Sequence, residues 1–310
     1  MPVIAVAGGS GGVGKTIVEK LLEESKFDVV VLSRVRQDQD LQKVQAVQLD
    51  YNDVHSMTQA LEQHNIHTII SAIGLVSDET SQSQLNLIEA ADKSKTTKRF
   101  VPSEYSFIQT ANLLDIDPSI QWWLDAATSL KTSSLEYTRV IPGFFMDYWG
   151  MPHVQTHLHP FSFGIDISTA TAAIPGDGNN VICMTYTYDM AAYLVKALDL
   201  KEWPEFSIIV GDKITYNQVL SMAEEFTGKK FSVTYDNVDK IKSGDVTVPV
   251  QPEGVDYSTD ELKETTALVS RLTINNVFQL PGNRLNAQFP EIKPIKMREF
   301  LHKAWKQNSV

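Results

Sequence analysis

The stretch GGSGGVGKT, residues 8–16, matches two nucleotide-binding patterns that cannot both operate. Read from Gly9, it is G-x-x-x-x-G-K-T, in which backbone N–H groups, Lys15 and Thr16 hold a nucleoside triphosphate and its metal ion. Read from Gly8, it is G-x-x-G-x-x-G, a turn that lays a dinucleotide pyrophosphate on a helix N-terminus. The rest of the chain must decide between them.

A triphosphate site needs an acidic residue at the end of a buried strand to hold magnesium. None of the early predicted strands ends in an acidic residue. DVVVLSR ends in Ser33 and Arg34, HTIISAIG ends in small residues, and KRFVPS ends in Ser103. Asp212, after SIIVG, lies far along the chain. The sequence therefore favours the dinucleotide pattern, with Lys15 as an exposed residue of the first helical turn.

The residue about twenty positions after the glycines contacts the ribose of the bound dinucleotide. An acidic residue there would bind the ribose hydroxyls of NAD. Here Ser33, Arg34 and Arg36 offer a hydroxyl and two cations, which suit a 2′-phosphate, so NADP(H) is the expected cofactor. Asp50 follows the third strand, where it either binds near the adenine or caps the next helix.

Alternating strands and helices must position these residues. Short β-rich runs alternate with helical segments at 13–24, 53–64, 81–92 and about 119–133, and the fifth strand is LEYTRVI, 135–141. This alternation predicts an α/β fold, a Rossmann-type doubly wound parallel sheet with helices on both faces. The strands are almost continuous apolar runs, as strands covered on both faces are.

The alternation ends after PGFFMDYWGMP. We expect residues 1–150 to form an NADP-binding Rossmann domain. We expect 151–310 to be mainly a smaller, intimately joined substrate lobe, with about 181–200 returning to the sheet and a cleft at the carboxyl ends of the strands. Further helices are predicted at 189–197, 257–270 and 296–307.

Composition narrows the class of partner. The 310 residues carry a net charge of −11, which disfavours nucleic-acid or membrane binding because both rely on clustered Lys and Arg. A small-molecule substrate is therefore expected. A single cysteine, Cys183, and the lack of a signal peptide or long apolar run indicate a cytoplasmic protein. We expect it to be a monomer or a homodimer.

Several motifs carry a family resemblance. VAGGSGGVGKTIVEKLL, VVVLSRVR, VQLDYND, TIISAIG, KRFVPSEYS and EYTRVIPGFF occur in an order and spacing that resembles the NmrA-like and isoflavone-reductase-like proteins, an atypical branch of the short-chain dehydrogenases. The resemblance covers about the first 150 residues, and FVPSEY is its most diagnostic part. It implies an NADPH-binding lobe, with cofactor roles at Gly8, Gly11, Gly14, Arg34, Ser71, Ala72 and 102–104.

The predicted cofactor site runs from the glycine turn to the loop after the fifth strand. It comprises Gly8, Ser10, Gly11, Gly12, Val13, Gly14, Ser33, Arg34, Arg36, Asp50, Ser71, Ala72, Ile73, Pro102, Ser103, Pro142, Gly143 and Phe144. The predicted substrate site is aromatic and comprises Trp122, Trp123, Phe145, Trp149 and His153.

The usual proton donor is absent. Ordinary short-chain dehydrogenases use Tyr-x-x-x-Lys, and none of the ten tyrosines here has a lysine four positions later. The resemblance implies instead a lysine early in the helix before EYTRV, where this chain has Trp122 and Trp123. Lys131 lies two turns later, roughly 12 Å along a helix. The tryptophans are either a core or lid element or an aromatic wall for a flat, neutral or cationic substrate.

Five other residues are catalytic candidates, and most have a structural alternative. They are Glu104, Tyr105, Asp125, Asp147 and Tyr148. Glu104 is alternatively a structural hydrogen-bond acceptor, Asp125 a solvated helix residue and Tyr148 a core aromatic. The histidines of HVQTHLH lie between prolines without a nearby carboxylate or thiolate, which indicates a loop rather than a metal site.

Three functions fit these observations. The first is an NADPH-dependent reductase of a bulky, aromatic or alkaloid-like molecule of secondary metabolism. The second is an NADP-binding enzyme that catalyses an isomerisation or rearrangement without net redox chemistry, because the family lysine is missing. The third is a regulatory protein that senses NADP(H) and signals to a protein partner.

Overall fold

The computed structural model describes residues 1–34, 44–282 and 285–306. The strands are β1 (Val3–Ala7), β2 (Asp28–Ser33), β3 (Gln45–Gln48), β4 (Ile66–Ser71), β5 (Arg99–Val101), β6 (Glu136–Tyr137), β7 (Arg139–Ile141), β8 (Phe144–Phe145), β9 (Ile165–Asp166), β10 (Thr171–Pro175), β11 (Ile182–Thr185), β12 (Phe206–Ile208), β13 (Asp212–Ile214) and β14 (Ser232–Asp236). The α-helices are α1 (Gly12–Glu24), α2 (Val54–Gln63), α3 (Asp78–Lys93), α4 (Ile120–Thr132), α5 (Asp147–Gly150), α6 (Thr187–Ala197), α7 (Tyr216–Thr227), α8 (Val238–Lys242), α9 (Thr259–Ile274), α10 (Leu285–Gln288) and α11 (Met297–Leu301).

The described residues divide into two compact units. The first comprises Met1–Tyr105, Gln109–Ile141 and Ala191–Ile208. The second comprises Ser106–Ile108, Pro142–Met190 and Ile209–Val310, of which Asn283, Arg284 and 307–310 lie outside the described residues. The functional assignment of 1–150 to cofactor and 151–310 to substrate stays a prediction.

A six-stranded parallel sheet forms the centre of the first unit, in the order β3-β2-β1-β4-β5-β6. Its side chains, such as Ile4, Val31 and Ile70, are almost fully buried because parallel strands are covered on both faces. The order reverses between β1 and β4, and ligands of such sheets bind at the carboxyl ends of the strands at this point. The predicted Rossmann-type α/β class is confirmed.

Side-chain caps fix where most long helices begin. Asp53 accepts from the N–H of Ser56 at 2.9 Å at the start of α2. Capping boxes begin α3 at Ser77, α7 at Thr215 and α9 at Ser258. Helix α1 differs, since Gly11 precedes it without a side-chain cap and its first turn holds no acidic residue.

Two predicted elements differ from the structure. The pattern predicts one strand over 135–141, but the chain divides it at Thr138, whose hydroxyl meets that of Ser207 at 2.7 Å. Strand β6 pairs with β5, whereas β7 pairs with β12, so the ladder partner changes within this run. The predicted helix at 296–307 is α-helical only over Met297–Leu301 and continues as a π-helical turn over His302–Lys306.

The second unit contains two small mixed sheets. Strand β10 pairs in parallel with β14 and antiparallel with β9. Strand β11 pairs in parallel with β8 and antiparallel with β13. Among the described residues, no helix is both long and apolar enough to cross a membrane.

Candidate functional site

The glycine turn after β1 depends on two close backbone approaches. Gly8 has a φ of +75°, and a Cβ built there would lie 2.5 Å from the carbonyl oxygen of Ala72. A Cβ at Gly14 would lie 2.1 Å from the carbonyl oxygen of Gly8. Only glycine fits these two positions, so the start of α1 lies directly against the end of β1.

The N-terminus of α1 is suited to an anion. The N–H of Gly11 donates to the carbonyl of Gly8 at 3.0 Å, and the N–H of Lys15 to that of Gly11 at 2.7 Å. The first-turn N–H groups of Gly12, Val13 and Gly14 have no acceptor within an α-helix. Because no side chain caps them and the helix dipole is positive at this end, a pyrophosphate is a fitting partner.

A cavity of about 400 Å³ opens at this turn, and we call it the cofactor cavity. Its lining includes seven of the predicted cofactor residues: Gly8, Ser10, Gly11, Ser33, Arg34, Ala72 and Ile73. Five further lining residues were not predicted: Leu32, Tyr51, Gly74, Thr80 and Ser83. Thr80 and Ser83 are three residues apart on α3, so both lie on the same face of the helix. This spacing is visible in the sequence and could have indicated that the two side chains share a surface.

The position of Thr16 argues against a triphosphate site. A phosphate-loop threonine must present its hydroxyl to a magnesium ion. Here Thr16 is fully buried, and its Oγ1 donates to the carbonyl oxygen of Gly12 at 3.2 Å. Neither Lys15 nor Thr16 is among the residues that line the cofactor cavity.

The end of β2 supplies the polar group that is predicted to contact the ribose of the cofactor. Arg34 is exposed, lines the cofactor cavity, and its carbonyl oxygen accepts from Gln48 Nε2 at 3.2 Å. Within the described ranges, no carboxylate lies at salt-bridge distance from its guanidinium. Burial raises the pKa of the nearby Tyr51 phenol, and the Arg34 charge opposes this rise. Arg36, the other predicted cation, lies outside the described residues.

Asp50 does not cap α2. Its Oδ1 accepts from the N–H of Asn52 at 2.9 Å, while Asp53 caps the helix. It is exposed and is not among the lining residues of the cofactor cavity, whereas its neighbour Tyr51 is. The predicted contact of Asp50 with the adenine stays a prediction.

A hydrogen bond joins the end of β4 to the segment that follows β5. Tyr105 has a φ of +21°, and its hydroxyl donates to the carbonyl oxygen of Ser71 at 2.8 Å. The Ser71 hydroxyl is buried without a partner among the described residues. The Ser103 N–H donates to Gln84 Oε1 at 2.8 Å, and Pro102 beside it is buried. Burial raises the pKa of Tyr105, so its phenol holds its proton and binds the strand end.

The two tryptophans of α4 anchor that helix. Trp122 Nε1 donates to Asp78 Oδ1 at 2.7 Å, and Trp123 Nε1 donates to the carbonyl oxygen of Ser103 at 3.0 Å. Both rings are partly exposed, and their centroids are 6.2 Å apart. Lys131, near the other end of α4, is exposed. The indoles thus link α4 to the start of α3 and to the end of β5.

Glu104 and Asp125 have geometries that match their structural alternatives. Both Glu104 oxygens are 2.6 Å from guanidinium nitrogens of buried Arg139. Burial raises the pKa of Glu104, and the hydrogen bonds from Arg139 oppose this rise. Asp125 Oδ1 accepts from Gln121 on the preceding turn and lies in a polar groove between α3 and α4.

Asp147 and Tyr148 lie in the second unit. Asp147 is fully buried; its Oδ1 accepts from the hydroxyls of Thr187 at 2.6 Å and Thr156 at 2.8 Å, and its Oδ2 from the Thr187 N–H at 3.0 Å. These bonds hold α5 against the start of α6. The Tyr148 ring packs on Phe163 with centroids 4.7 Å apart, and burial raises the pKa of its phenol.

The loop after β7 begins the second segment, Pro142–Met190, of the second unit. Gly143 has a φ of +75°, and a Cβ there would lie 2.2 Å from the Cys183 carbonyl oxygen. The Pro142 carbonyl accepts from Thr185 Oγ1 at 2.7 Å. Phe144 is the centre of an aromatic cluster whose other rings are those of Tyr148, Trp149, Phe163 and Phe278. Phe145 is buried and is paired with Thr185 across β8 and β11.

The second unit contains an open cavity of about 640 Å³, which we call the aromatic cavity. Its walls include Tyr148, Trp149, Phe161 and Trp305. His153 is exposed and meets Trp305 edge-on, with ring centroids 4.8 Å apart, but is not among the lining residues. The described residues contain no group of three or more His, Cys, Asp or Glu placed to hold a metal.

Together, the sheet, the close-packed glycine turn and the uncapped helix N-terminus define the class: a Rossmann-type dinucleotide-binding protein. A family profile described as NAD(P)H-binding matches residues 8–170, and the chain belongs to this family. The resemblance to the isoflavone-reductase-like proteins is thereby confirmed.

Named relatives agree with this assignment. The chain is 36% identical to oxidoreductase BOA1 of Botryotinia fuckeliana, over 94% of this chain and 95% of that protein. It is 30% identical to oxidoreductase swnN of Metarhizium robertsii, over 98% of each. The fold matches that of leucoanthocyanidin reductase from Vitis vinifera in its binary complex with NADPH, with a TM-score of 0.74 and 17% identity over 97% of this chain and 98% of that one.

Proposed function

We propose that the protein is an NADPH-dependent reductase of a bulky, aromatic or alkaloid-like small molecule. The observation that carries the cofactor choice is Arg34 at the end of β2, exposed and lining the cofactor cavity. A guanidinium binds a phosphate group with two parallel hydrogen bonds, whereas an NAD site at this position carries a carboxylate. Ser33 lines the same cavity beside it.

The relatives support reduction as the reaction class. Both fungal relatives are named oxidoreductases and match the chain over nearly its whole length. NADPH would supply a hydride, and the glycine turn, the α1 N-terminus and Arg34 would hold it in place. The aromatic cavity of the second unit supports a bulky substrate, because most of the surface of a bound small molecule is buried against apolar and aromatic side chains.

A titration with NADPH, NADP⁺, NADH and Mg-ATP tests the cofactor assignment. We expect a preference for the phosphorylated dinucleotides of about tenfold or more, or about 1.4 kcal/mol, that collapses in Arg34→Ala and is partly retained in Arg34→Lys. Arg298→Ala, which removes an exposed guanidinium of the second unit, is the matched control. Equal binding of NADH and NADPH, or binding of Mg-ATP, would overturn the assignment.

NADPH consumption tests the reaction. With a panel of aromatic ketones, imines and benzylic ethers, we expect oxidation of NADPH in proportion to the product formed. Product formed with the cofactor unchanged would overturn the reductase proposal in favour of a rearrangement.

A further inference from the structure

The aromatic cavity carries charge of one sign. Among the described residues that line it, the charged side chains are Asp166 and Glu253, both acidic. Neither carboxylate has a basic side chain at salt-bridge distance within residues 1–34, 44–282 and 285–306. A cavity lined by one sign of charge concentrates ligands of the opposite sign.

The Asp166 carboxylate has a fixed position. The residue is 7% exposed, and its Oδ1 accepts from the N–H of Thr169 at 3.1 Å. Asp166 is also paired with Thr171 across β9 and β10, which holds its backbone. A preorganised carboxylate loses little conformational entropy when it binds a cation.

The segment that carries Glu253 is hydrogen-bonded to Ser162, which also lines the cavity. Gln251 Oε1 accepts from the N–H of Ser162 at 3.0 Å, and Gln251 Nε2 donates to the carbonyl oxygens of Ser162 and Pro249, each at 3.2 Å. These bonds place the exposed Glu253 at the rim of the cavity. The two carboxylates therefore come from two chain segments that the Gln251–Ser162 hydrogen bonds join.

Aromatic rings supply the remaining recognition. Trp305 Nε1 donates to the Trp149 carbonyl oxygen at 2.7 Å, which fixes the Trp305 ring. Tryptophan faces attract organic cations more strongly than the faces of other side chains do.

We propose that the aromatic cavity binds an organic ammonium ion that carries an aromatic or other apolar ring system. The ring packs on the aromatic walls, and the positive charge is neutralised by Asp166 and Glu253. Identification of this ligand as the substrate rests on the proposed function, whereas the binding site itself does not.

Calorimetry with three indoles of similar size and different charge tests this proposal. The probes are tryptamine, a cation at pH 7, tryptophol, which is neutral, and indole-3-acetate, an anion. We expect tryptamine to bind at least about tenfold more tightly than tryptophol, a difference of about 1.4 kcal/mol, and indole-3-acetate not to bind. Equal binding of tryptamine and tryptophol, tighter binding of the anion, or no binding of any probe would overturn the proposal.

Two variants locate the charge. Asp166→Asn keeps the oxygen that accepts from Thr169, so the fold is preserved while the charge is lost, and Glu253→Gln changes an exposed rim residue. We expect each to weaken tryptamine binding by about fivefold to tenfold and to leave tryptophol binding within about twofold. As a control, Glu264→Gln removes the same charge from the exposed face of α9 and should change the binding of neither tryptamine nor tryptophol. Equal effects of the cavity and control variants would contradict a local site.

The cofactor titration, made on the same preparation, separates the two proposals. NADPH binding without tryptamine binding overturns only the cation site. Charge-selective tryptamine binding without NADPH binding supports the cation site and overturns the reductase.

Discussion

Arg139 on β7 and Glu104 after β5 form a bidentate ion pair, with Nε and Nη2 each 2.6 Å from a carboxylate oxygen. Their side chains are 5% and 2% exposed. The Arg139 guanidinium also lies 4.7 Å from the centroid of the Phe206 ring on β12 and donates to the carbonyl oxygen of Gln109 at 3.4 Å. The pair therefore links β7 to the segment that follows β5 in the first unit, and both Glu104 oxygens are engaged.

Loss of one partner should leave a buried charge uncompensated. We expect Glu104→Gln to lower the free energy of unfolding by about 3–5 kcal/mol, because the buried Arg139 then keeps only the exposed Glu205, 3.9 Å away, as a counter-ion. Denaturant unfolding measures the change. Asp245→Asn breaks the exposed ion pair with Lys263 and should change the free energy of unfolding by no more than about 1 kcal/mol. Equal losses in both variants would show that burial of the pair is unimportant.

Local patterns were enough to predict the sheet and the glycine turn. Apolar runs such as DVVVLS identify strands covered on both faces, and Gly8, Gly11 and Gly14 have the spacing of a turn onto a helix. The division at Thr138 has no such signal, because it depends on a pairing with β12 about seventy residues later.

The aromatic cavity could be predicted only in part. Tyr148 and Trp149 lie in the aromatic run after the fifth strand, and Trp149 was a predicted substrate residue. Asp166, Gln251 and Trp305 come from segments far apart in the chain, and only the folded second unit brings them together. Polar residues of irregular segments have no periodicity that reveals which surface they share.

An added methyl group at Gly14 should disrupt the cofactor turn. Because its Cβ would lie 2.1 Å from the Gly8 carbonyl oxygen, Gly14→Ala must displace α1 from β1. We expect the dissociation constant for NADPH to rise by at least about tenfold, or 1.4 kcal/mol. Gly74→Ala lies in the same cavity, and no atom of the described residues is within 4 Å of the new Cβ, so this variant should have a smaller effect. Wild-type affinity in Gly14→Ala would contradict this account of the turn.

Thr16 distinguishes the two readings of GGSGGVGKT. Its hydroxyl donates to the Gly12 carbonyl inside the helix and is fully buried, so a dinucleotide at the turn does not need it. We expect Thr16→Val to bind NADPH within about fivefold of wild type, since one helix-internal hydrogen bond contributes about 1 kcal/mol. Fluorescence titration of NADPH measures this. Loss of nucleotide binding together with magnesium dependence in the wild type would instead indicate a phosphate loop.

The buried carboxyl group of Asp147 should make stability depend on pH. Burial raises its pKa above the usual 3.8, and the hydrogen bonds from Thr187 and Thr156 oppose the rise without reversing it. Between 3.8 and the raised pKa, the folded state retains a proton that the unfolded state has lost, so the free energy of unfolding falls as pH rises. Asp147→Asn has no titratable group at this site.

We therefore expect the free energy of unfolding of the wild type, relative to that of Asp147→Asn, to decrease as pH rises from about 4 towards 7. Urea unfolding of both proteins at several pH values measures the difference. The slope of this difference against pH reports the titration of Asp147, because every other titrating group is common to the two proteins. A difference that increases with pH would mean that the hydrogen bonds from the threonines outweigh burial and that the folded state favours the carboxylate.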